Sequence, residues 1–172
     1  NANATWITST KINATVETNN NITFSGVGAI DAKDEITIGS GASGNVIMTP
    51  NLGSGNHNTR LTLNLIEFNT TNATGSFQKY AWVFNTSGAS TRWTRIYVDG
   101  SEVWNDNTDW TGGGGVYKIE VTGTTVKFYN GSTLKYTKTG ATTGTYKVHS
   151  NSGDAGNGEM NAVKTDGFSV PN

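Results

Sequence analysis

The chain has 172 residues, a formal net charge of −1, a charged fraction of 15% and no cysteine. The near-neutral charge excludes a protein that holds nucleic acid mainly through its phosphates, the missing cysteine excludes disulfides and thiolate chemistry, and no apolar run is long enough to span a bilayer. Because Thr, Gly and Asn are abundant, with 28, 22 and 21 residues, and strong helix formers are scarce, we expect an all-β fold with essentially no helix.

Alternation of apolar and polar residues recurs along the whole chain and predicts short strands separated by turns. No change of composition divides the chain, so residues 1–172 are expected to form one domain. The predicted strands are 12–17, 22–25, 35–38, 45–49, 60–68, 78–85, 93–98, 101–104, 116–121, 125–129, 134–137, 145–149, 161–164 and 167–170.

Residues 1–11 are predicted to form an extended N-terminal arm. From Trp6 to Val16 the even positions read Trp, Thr, Thr, Ile, Ala and Val without Gly or Pro, a longer extended segment than a typical strand. Two alternatives stay open. The arm adds a strand to the sheet of a neighbouring copy and so drives self-association, or it is the first strand of its own sandwich.

The stretch YAWVF and two turn dipeptides lie in the middle of the chain. Tyr80, Trp82 and Phe84 share one strand face, which belongs either to the core or to a displayed aromatic stripe. Asp99-Gly100 and Asn130-Gly131 tolerate the positive φ angles of tight hairpin turns, so each predicts a pair of antiparallel strands.

The stretch WNDNTDWTGGGG, residues 104–115, combines two tryptophans with Asn and Asp side chains. An exposed Trp stacks on the apolar face of a pyranose while neighbouring polar groups bond its hydroxyls. The alternative is that Trp110 folds back over the end of the sandwich. The candidate sugar-binding residues are Trp104, Asn105, Asp106, Asn107, Asp109 and Trp110.

Three acidic, amide-rich segments are candidate Ca²⁺ loops, because this ion takes six to eight oxygen ligands from carboxylates, amides and carbonyls. The alternative is that Asp, Asn and Gly fill turns for conformational reasons. No other cofactor is indicated. The loop residues are Asp31, Asp34 and Glu35 in the first, Asn105, Asp106, Asn107 and Asp109 in the second, and Asp154, Asn157 and Glu159 in the third.

Residues 116–139, VYKIEVTGTTVKFYNGSTLKYTKT, resemble the hairpin run of concanavalin-A-like (laminin-G-like) β-sandwiches. The N-terminal segment, Trp6 followed by INATVETNNNITFSG, is similar to the entry strands of such domains. The resemblance implies an antiparallel jelly-roll β-sandwich. The matching positions are Tyr117, Ile119, Val121, Val126, Phe128, Tyr129, Asn130, Gly131, Leu134 and Tyr136.

The resemblance implies a lectin, a carbohydrate-binding module, an adhesin domain or a subunit of a surface assembly. Its glycosidase branch carries an acidic triplet, E-x-D-x-E or E-x-D-x-x-E, which this chain lacks. No nucleophile, phosphate-binding or zinc motif is present either. We therefore expect a non-catalytic protein without catalytic residues, either a structural or adhesive surface subunit joined by strand pairing or a carbohydrate-binding module.

Seven Asn-X-Ser/Thr sequons suggest an extracellular or cell-surface glycoprotein. The alternative is that an Asn- and Thr-rich composition generates them by chance. The sequons begin at Asn3, Asn13, Asn21, Asn69, Asn72, Asn85 and Asn130.

Replacement of Trp110 by Ala separates a sugar site from a structural loop. We expect Trp110→Ala to lower the free energy of unfolding by about 3–5 kcal/mol, or to block assembly, rather than to remove glycan binding alone. Gly112–Gly115 leave the loop exit flexible, which raises the entropy lost on fixing a ligand. Thermal melting and a glycan array check this, and loss of glycan binding at an unchanged melting temperature would contradict it.

Overall fold

The computed structural model describes residues 2–3, 12–17, 21–52, 57–65, 79–87, 91–107, 115–153 and 158–169. Within these ranges no helix is long and apolar enough to cross a membrane. Thirteen strands follow one another along the described chain. They are β1 (Ala2–Asn3), β2 (Ile12–Val16), β3 (Ile22–Ile38), β4 (Ser43–Leu52), β5 (His57–Leu65), β6 (Tyr80–Ser87), β7 (Thr91–Val98), β8 (Ser101–Asp106), β9 (Tyr117–Thr122), β10 (Thr125–Asn130), β11 (Thr133–Lys138), β12 (Gly144–Ser152) and β13 (Gly158–Asp166).

The strands form one continuous antiparallel network that folds over into two layers. The five-stranded sheet has the order β11-β10-β9-β4-β13, and the six-stranded sheet has the order β3-β12-β5-β6-β7-β8. The long strand β3 joins the sheets, because Ile22 and Thr23 pair with β13 whereas its residues from 28 to 38 pair with β12. This architecture confirms the predicted all-β antiparallel sandwich.

The core between the two sheets is centred on Trp82 of β6. Its fully buried ring makes edge contacts with Tyr117 of β9 and Phe128 of β10, at centroid distances of 5.1 and 5.9 Å. Its indole Nε1 donates a hydrogen bond of 3.1 Å to the carbonyl oxygen of Lys118 in β9. One side chain therefore links the sheets by ring packing and by a hydrogen bond. The YAWVF stripe belongs to the core.

Both predicted hairpins form. Asp99 and Gly100, with φ angles of 51° and 77°, are the two loop residues between β7 and β8. In the second hairpin the loop lies one residue later than predicted, at Gly131 and Ser132, because Asn130 still pairs with Thr133. Each turn joins antiparallel neighbours, as expected from the dipeptides.

Two predicted strand boundaries are wrong. The segments 22–25 and 35–38 are parts of one 17-residue strand, β3, so DAKDE is not a loop. Asp31 pairs with His149, and Glu35 pairs with Lys147. The three β3 residues between them lie opposite Val148 alone, so they form a bulge that does not end the strand. Segment 167–170 is no strand within the described residues, where Ser169 makes only an isolated bridge to Glu35.

The N-terminal segment pairs within its own sandwich where the structure describes it. Residues Ile12–Val16 form β2 and pair with β3, and Ala2–Asn3 form β1 and pair with β13. The described strands β1 and β2 therefore follow the intrachain alternative, and pairing of the N-terminal arm with a neighbouring copy stays a prediction. Residues 4–11, including Trp6, lie outside the described residues.

The path of paired strands ends in β8 and β11, while β1 and β2 border β13 and β3. The edge strands β8 and β11 each carry a bulge. Val103 is the extra residue in β8, and Lys135 is the extra residue in β11. The Lys135 ammonium lies 5.6 Å from the ring centroid of Trp104, and Lys138 Nζ lies 3.9 Å from Asp99 Oδ2. Bulges and lysines at a sheet edge oppose the addition of a further strand.

Truncation of Trp82 tests the link between the sheets. We expect Trp82→Ala to lower the free energy of unfolding by about 3–5 kcal/mol, because it leaves a cavity and removes the hydrogen bond to Lys118. Urea unfolding measures this. Trp104→Ala is the control and should lose less, because its ring is only half-buried. An equal loss in the two variants would contradict the central position of Trp82.

Candidate functional site

Strand alternation divides the residues predicted to bind sugar. Trp104 lies opposite the core residue Ile96, and its ring packs edge-on against Trp82 at a centroid distance of 5.9 Å. Asn105 lies opposite Arg95 on the other face of the sheet. Because neighbouring residues of a strand face opposite sides, Trp104 and Asn105 do not share one ligand surface. Sugar binding by either residue alone stays a prediction.

One further member of the predicted cluster, Asp106, is separated from Asn105. Asp106 lies opposite the fully buried Thr94, on the core side of β8. Asn107 is exposed directly after the strand. Asp109 and Trp110 lie outside the described residues, so their roles stay predictions.

The outer face of the six-stranded sheet, the side that points away from the core, gathers polar and aromatic groups that are far apart in the sequence. Register places these groups in rows that run across the strands. One row contains the positions of Asp31, His149, Thr62, Ala81, Tyr97 and Glu102. The adjacent row contains the positions of Ala29, Asn151, Arg60, Val83, Arg95 and Asn105.

One end of this face, which we call the β7–β8 corner, is open to solvent and consists of Trp93, Arg95, Tyr97, Glu102 and Asn105. The Glu102 carboxylate is its centre. Asn105 Nδ2 donates to Glu102 Oε1 at 2.7 Å, and the Tyr97 hydroxyl donates to Oε2 at 3.4 Å. Arg95 Nε lies 3.5 Å from the same Oε2. The corner thus presents a carboxylate, a guanidinium, an amide and a phenol side by side.

The aromatic part of the corner is Trp93. The Arg95 guanidinium carbon lies 5.5 Å from the centroid of its ring, so charge and ring share the outer face. Trp93 Nε1 and Oδ1 of the neighbouring Asn85 are buried atoms without a hydrogen-bond partner in the part of the chain that the structure describes. Buried polar atoms are rarely left unsatisfied, and a bound ligand or water is one common reason.

The opposite end of the outer face is buried. His149 Nδ1 lies 2.6 Å from Asp31 Oδ1, and because a carboxylate only accepts, the imidazole donates this hydrogen bond. Asn151 is fully buried, and neither atom of its amide group has a hydrogen-bond partner among the described residues. These side chains form the closed part of the face.

The outer face of the five-stranded sheet carries a smaller group with related chemistry. Lys118 Nζ lies 4.1 Å from the ring centroid of Tyr129 and 2.6 Å from Glu120 Oε2. The Tyr129 hydroxyl donates to Glu120 Oε1 at 3.4 Å. This trio has a cation, a carboxylate and one aromatic ring, and Asn45 of β4, whose amide oxygen is buried without a hydrogen-bond partner among the described residues, lies opposite Glu120.

The acidic residues predicted to bind Ca²⁺ do not converge where they are described. Asp31 bonds His149 on the outer face, whereas Asp34 accepts a hydrogen bond of 2.8 Å from Thr165 of β13. In the third segment, Glu159 Oε2 accepts from Asn51 Nδ2 at 2.7 Å. Among the described residues no three His, Cys, Asp or Glu side chains form a group that could hold a metal.

The other candidate Ca²⁺ ligands of the first and third segments, and Asp109 of the second, either make a different contact or lie outside the described residues. Glu35 forms an ion pair of 3.5 Å with Lys147. Asp109, Asp154 and Asn157 lie outside the described residues, so Ca²⁺ binding there stays a prediction.

The sequon asparagines that the structure describes differ in accessibility. Asn13 is exposed, and its Nδ2 donates to the Val27 carbonyl at 2.8 Å. Asn21, Asn85 and Asn130 are half-buried. Asn3 is described by its backbone only, and Asn69 and Asn72 lie outside the described residues. Glycosylation stays a prediction.

The Asp99-Gly100 hairpin is the one local signal in the sequence for the β7–β8 corner. Pairing β7 with β8 around Asp99-Gly100 brings Tyr97 opposite Glu102 by counting alone. The Asp31–His149 pair had no such signal, because its members are 118 residues apart.

Comparisons with solved structures show the fold. The carbohydrate-binding module CBM66 from Bacillus subtilis is similar with a TM-score of 0.61 and 13% identity, over 96% of this chain and 98% of that one. The alginate lyase AlgAT5 of polysaccharide lyase family 7 has a TM-score of 0.58 and 13% identity, over 91% and 82%. The Emp47p carbohydrate recognition domain has a TM-score of 0.58 and 8% identity, over 92% and 86%.

These neighbours share the concanavalin-A-like jelly-roll β-sandwich, which confirms the resemblance seen in the sequence. No protein-family model and no curated protein matches the chain at a significant level.

The expectation of a non-catalytic protein is wrong. It relied on the missing acidic triplet, yet an alginate lyase is among the structural neighbours, so the fold does not exclude catalysis. At 13% identity the shared fold assigns no reaction to this chain either.

Loss of the Asp31 carboxylate tests the closed part of the outer face. We expect Asp31→Ala to lower the free energy of unfolding by about 1–3 kcal/mol, because it removes the acceptor of a buried imidazole hydrogen bond. Asp31→Asn keeps an acceptor oxygen and should lose less. Urea unfolding of both variants measures the difference, and an Asp31→Ala variant as stable as the wild type would contradict the assignment.

Proposed function

We propose that this domain binds carbohydrate at the β7–β8 corner of the six-stranded sheet. The observation that carries the proposal is the juxtaposition of the half-buried Trp93 ring with the Glu102 carboxylate, its hydrogen-bonding partner Asn105 and its ion-pair partner Arg95. An aromatic plane beside several polar groups suits a sugar, which has an apolar ring face and hydroxyls at its edge.

Accessibility supports the same corner. Glu102 and Asn105 are exposed and Trp93, Arg95 and Tyr97 are half-exposed, whereas Asp31, His149 and Asn151 are buried at the other end of the face. A ligand therefore reaches the β7–β8 corner without a rearrangement of the sheet.

The structural neighbours add support of a weaker kind. Two of them, the Bacillus subtilis module and the Emp47p domain, are named for carbohydrate binding or recognition. Their low identity means that they support the choice of ligand class without assigning residues. An extracellular or cell-surface location fits a glycan ligand and remains part of the proposal.

The structural or adhesive alternative receives less support. It required an N-terminal strand that pairs with another copy, but β1 and β2 pair within the chain. The edge strands β8 and β11 also carry bulges. Carbohydrate binding is therefore the function that the geometry favours.

Truncation of the aromatic plane tests the proposal. We expect Trp93→Ala to weaken glycan binding at least tenfold, because an aromatic anchor contributes roughly 2 kcal/mol or more to binding. Its melting temperature should fall only slightly, since the ring is half-buried. A glycan array followed by isothermal titration with the best ligand measures the effect.

Tyr129→Ala is the matched control, because it removes a ring that has a cation over it on the outer face of the other sheet. It should leave glycan binding unchanged. Loss of binding in Tyr129→Ala with retention in Trp93→Ala would move the site to the five-stranded sheet and refute the proposed location.

A further inference from the structure

We infer that the ligand of the β7–β8 corner is an uncharged glycan that presents two neighbouring hydroxyl groups to Glu102 and Arg95. This inference rests on the proposed function and adds the charge class of the ligand. Two observations support it, namely the hydrogen bonds that Glu102 makes and the ion pairs on the outer face.

Glu102 is held in place but keeps capacity to accept. A carboxylate offers about four lone-pair positions. Asn105 takes one at 2.7 Å, while the contacts from Tyr97 and Arg95 are long, at 3.4 and 3.5 Å. The side chain of Glu102 is 34% exposed, so solvent reaches it. A ligand hydroxyl can therefore donate to this carboxylate without displacing the short bond to Asn105.

Arg95 complements Glu102. The guanidinium has five N–H donors in a rigid fork, and its Nε lies 3.5 Å from Glu102 Oε2. Its side chain is 35% exposed and lies beside the Trp93 ring. Two adjacent hydroxyls of one sugar, each able to donate and accept, match a carboxylate and a guanidinium placed side by side.

Two Lys/Arg–Glu ion pairs lie on the described part of the outer face. Arg95 pairs with Glu102, and at the other end of the face Lys147 Nζ lies 3.5 Å from Glu35 Oε1. A carboxylated or sulfated glycan would bring a second anion next to Glu102, and this like-charge contact is unfavourable where the charges are partly shielded from water. A neutral glycan meets no such repulsion.

Polysaccharides that differ only in their carboxylates test the inference. Binding of the intact chain is measured by affinity electrophoresis and titration against fully methyl-esterified polygalacturonate and free polygalacturonate, and against mannan and polymannuronate, at low and high NaCl. We expect the neutral member of at least one pair to bind, with an affinity that changes less than twofold between 50 and 500 mM NaCl (roughly a tenfold span chosen to screen surface charge).

Variants of two carboxylates assign the role. Glu102→Gln keeps the shape but loses the charge, and it should weaken binding of the neutral glycan at least tenfold with an unchanged melting temperature. Glu120→Gln is the matched control, because Glu120 also contacts a Tyr hydroxyl and a cation on the other sheet. It should bind as the wild type does.

The outcomes are distinct. Tighter binding of a polyuronate than of its neutral partner, weakened by salt, overturns the inference while the proposed function stands. Neutral binding that is unaffected in Glu102→Gln also overturns it. Absence of binding to every polymer of both classes overturns the inference together with the proposed function.

Discussion

The packing of Trp82 between the two sheets is the interaction on which the rest of the structure depends. Because side chains alternate along a strand, an inward Trp82 forces Ala81 and Val83 outward. Strand register then sets which residues of β7 face outward, because Arg95 lies opposite Val83. A slip of one residue would bury Arg95 and expose Ile96, so the core and the candidate site depend on the same register.

The β7–β8 corner combines order with access because it lies at the edge of the six-stranded sheet. Residues of the outer face that lie away from this edge, such as Ala81 and His149, are fully buried, whereas Glu102 and Asn105 on the edge strand remain exposed. Their hydrogen bonds to one another hold the polar groups in place before any ligand arrives. A site organised in this way loses less conformational entropy on binding.

Local signals predicted the strands and both hairpins, and the 116–139 segment predicted the jelly-roll sandwich. One bulge in β8 separates two of the candidate sugar-binding residues. With a regular β7–β8 ladder, Trp104 would lie opposite Arg95 on the outer face, but the extra residue Val103 moves Trp104 opposite Ile96 and into the core. A bulge leaves little trace in a single sequence. Contacts between residues that are far apart in the chain, such as Asp31 with His149, depend on the folded topology and leave no local pattern in the sequence.

The guarded edges of β8 and β11 have a consequence for how copies of the domain coexist. A sandwich with regular open edges tends to continue its sheets into the next molecule when copies are crowded. Here the bulges at Val103 and Lys135 interrupt the ladder at the edges formed by β8 and β11. Copies of the domain can therefore lie close together without joining their sheets at these two edges.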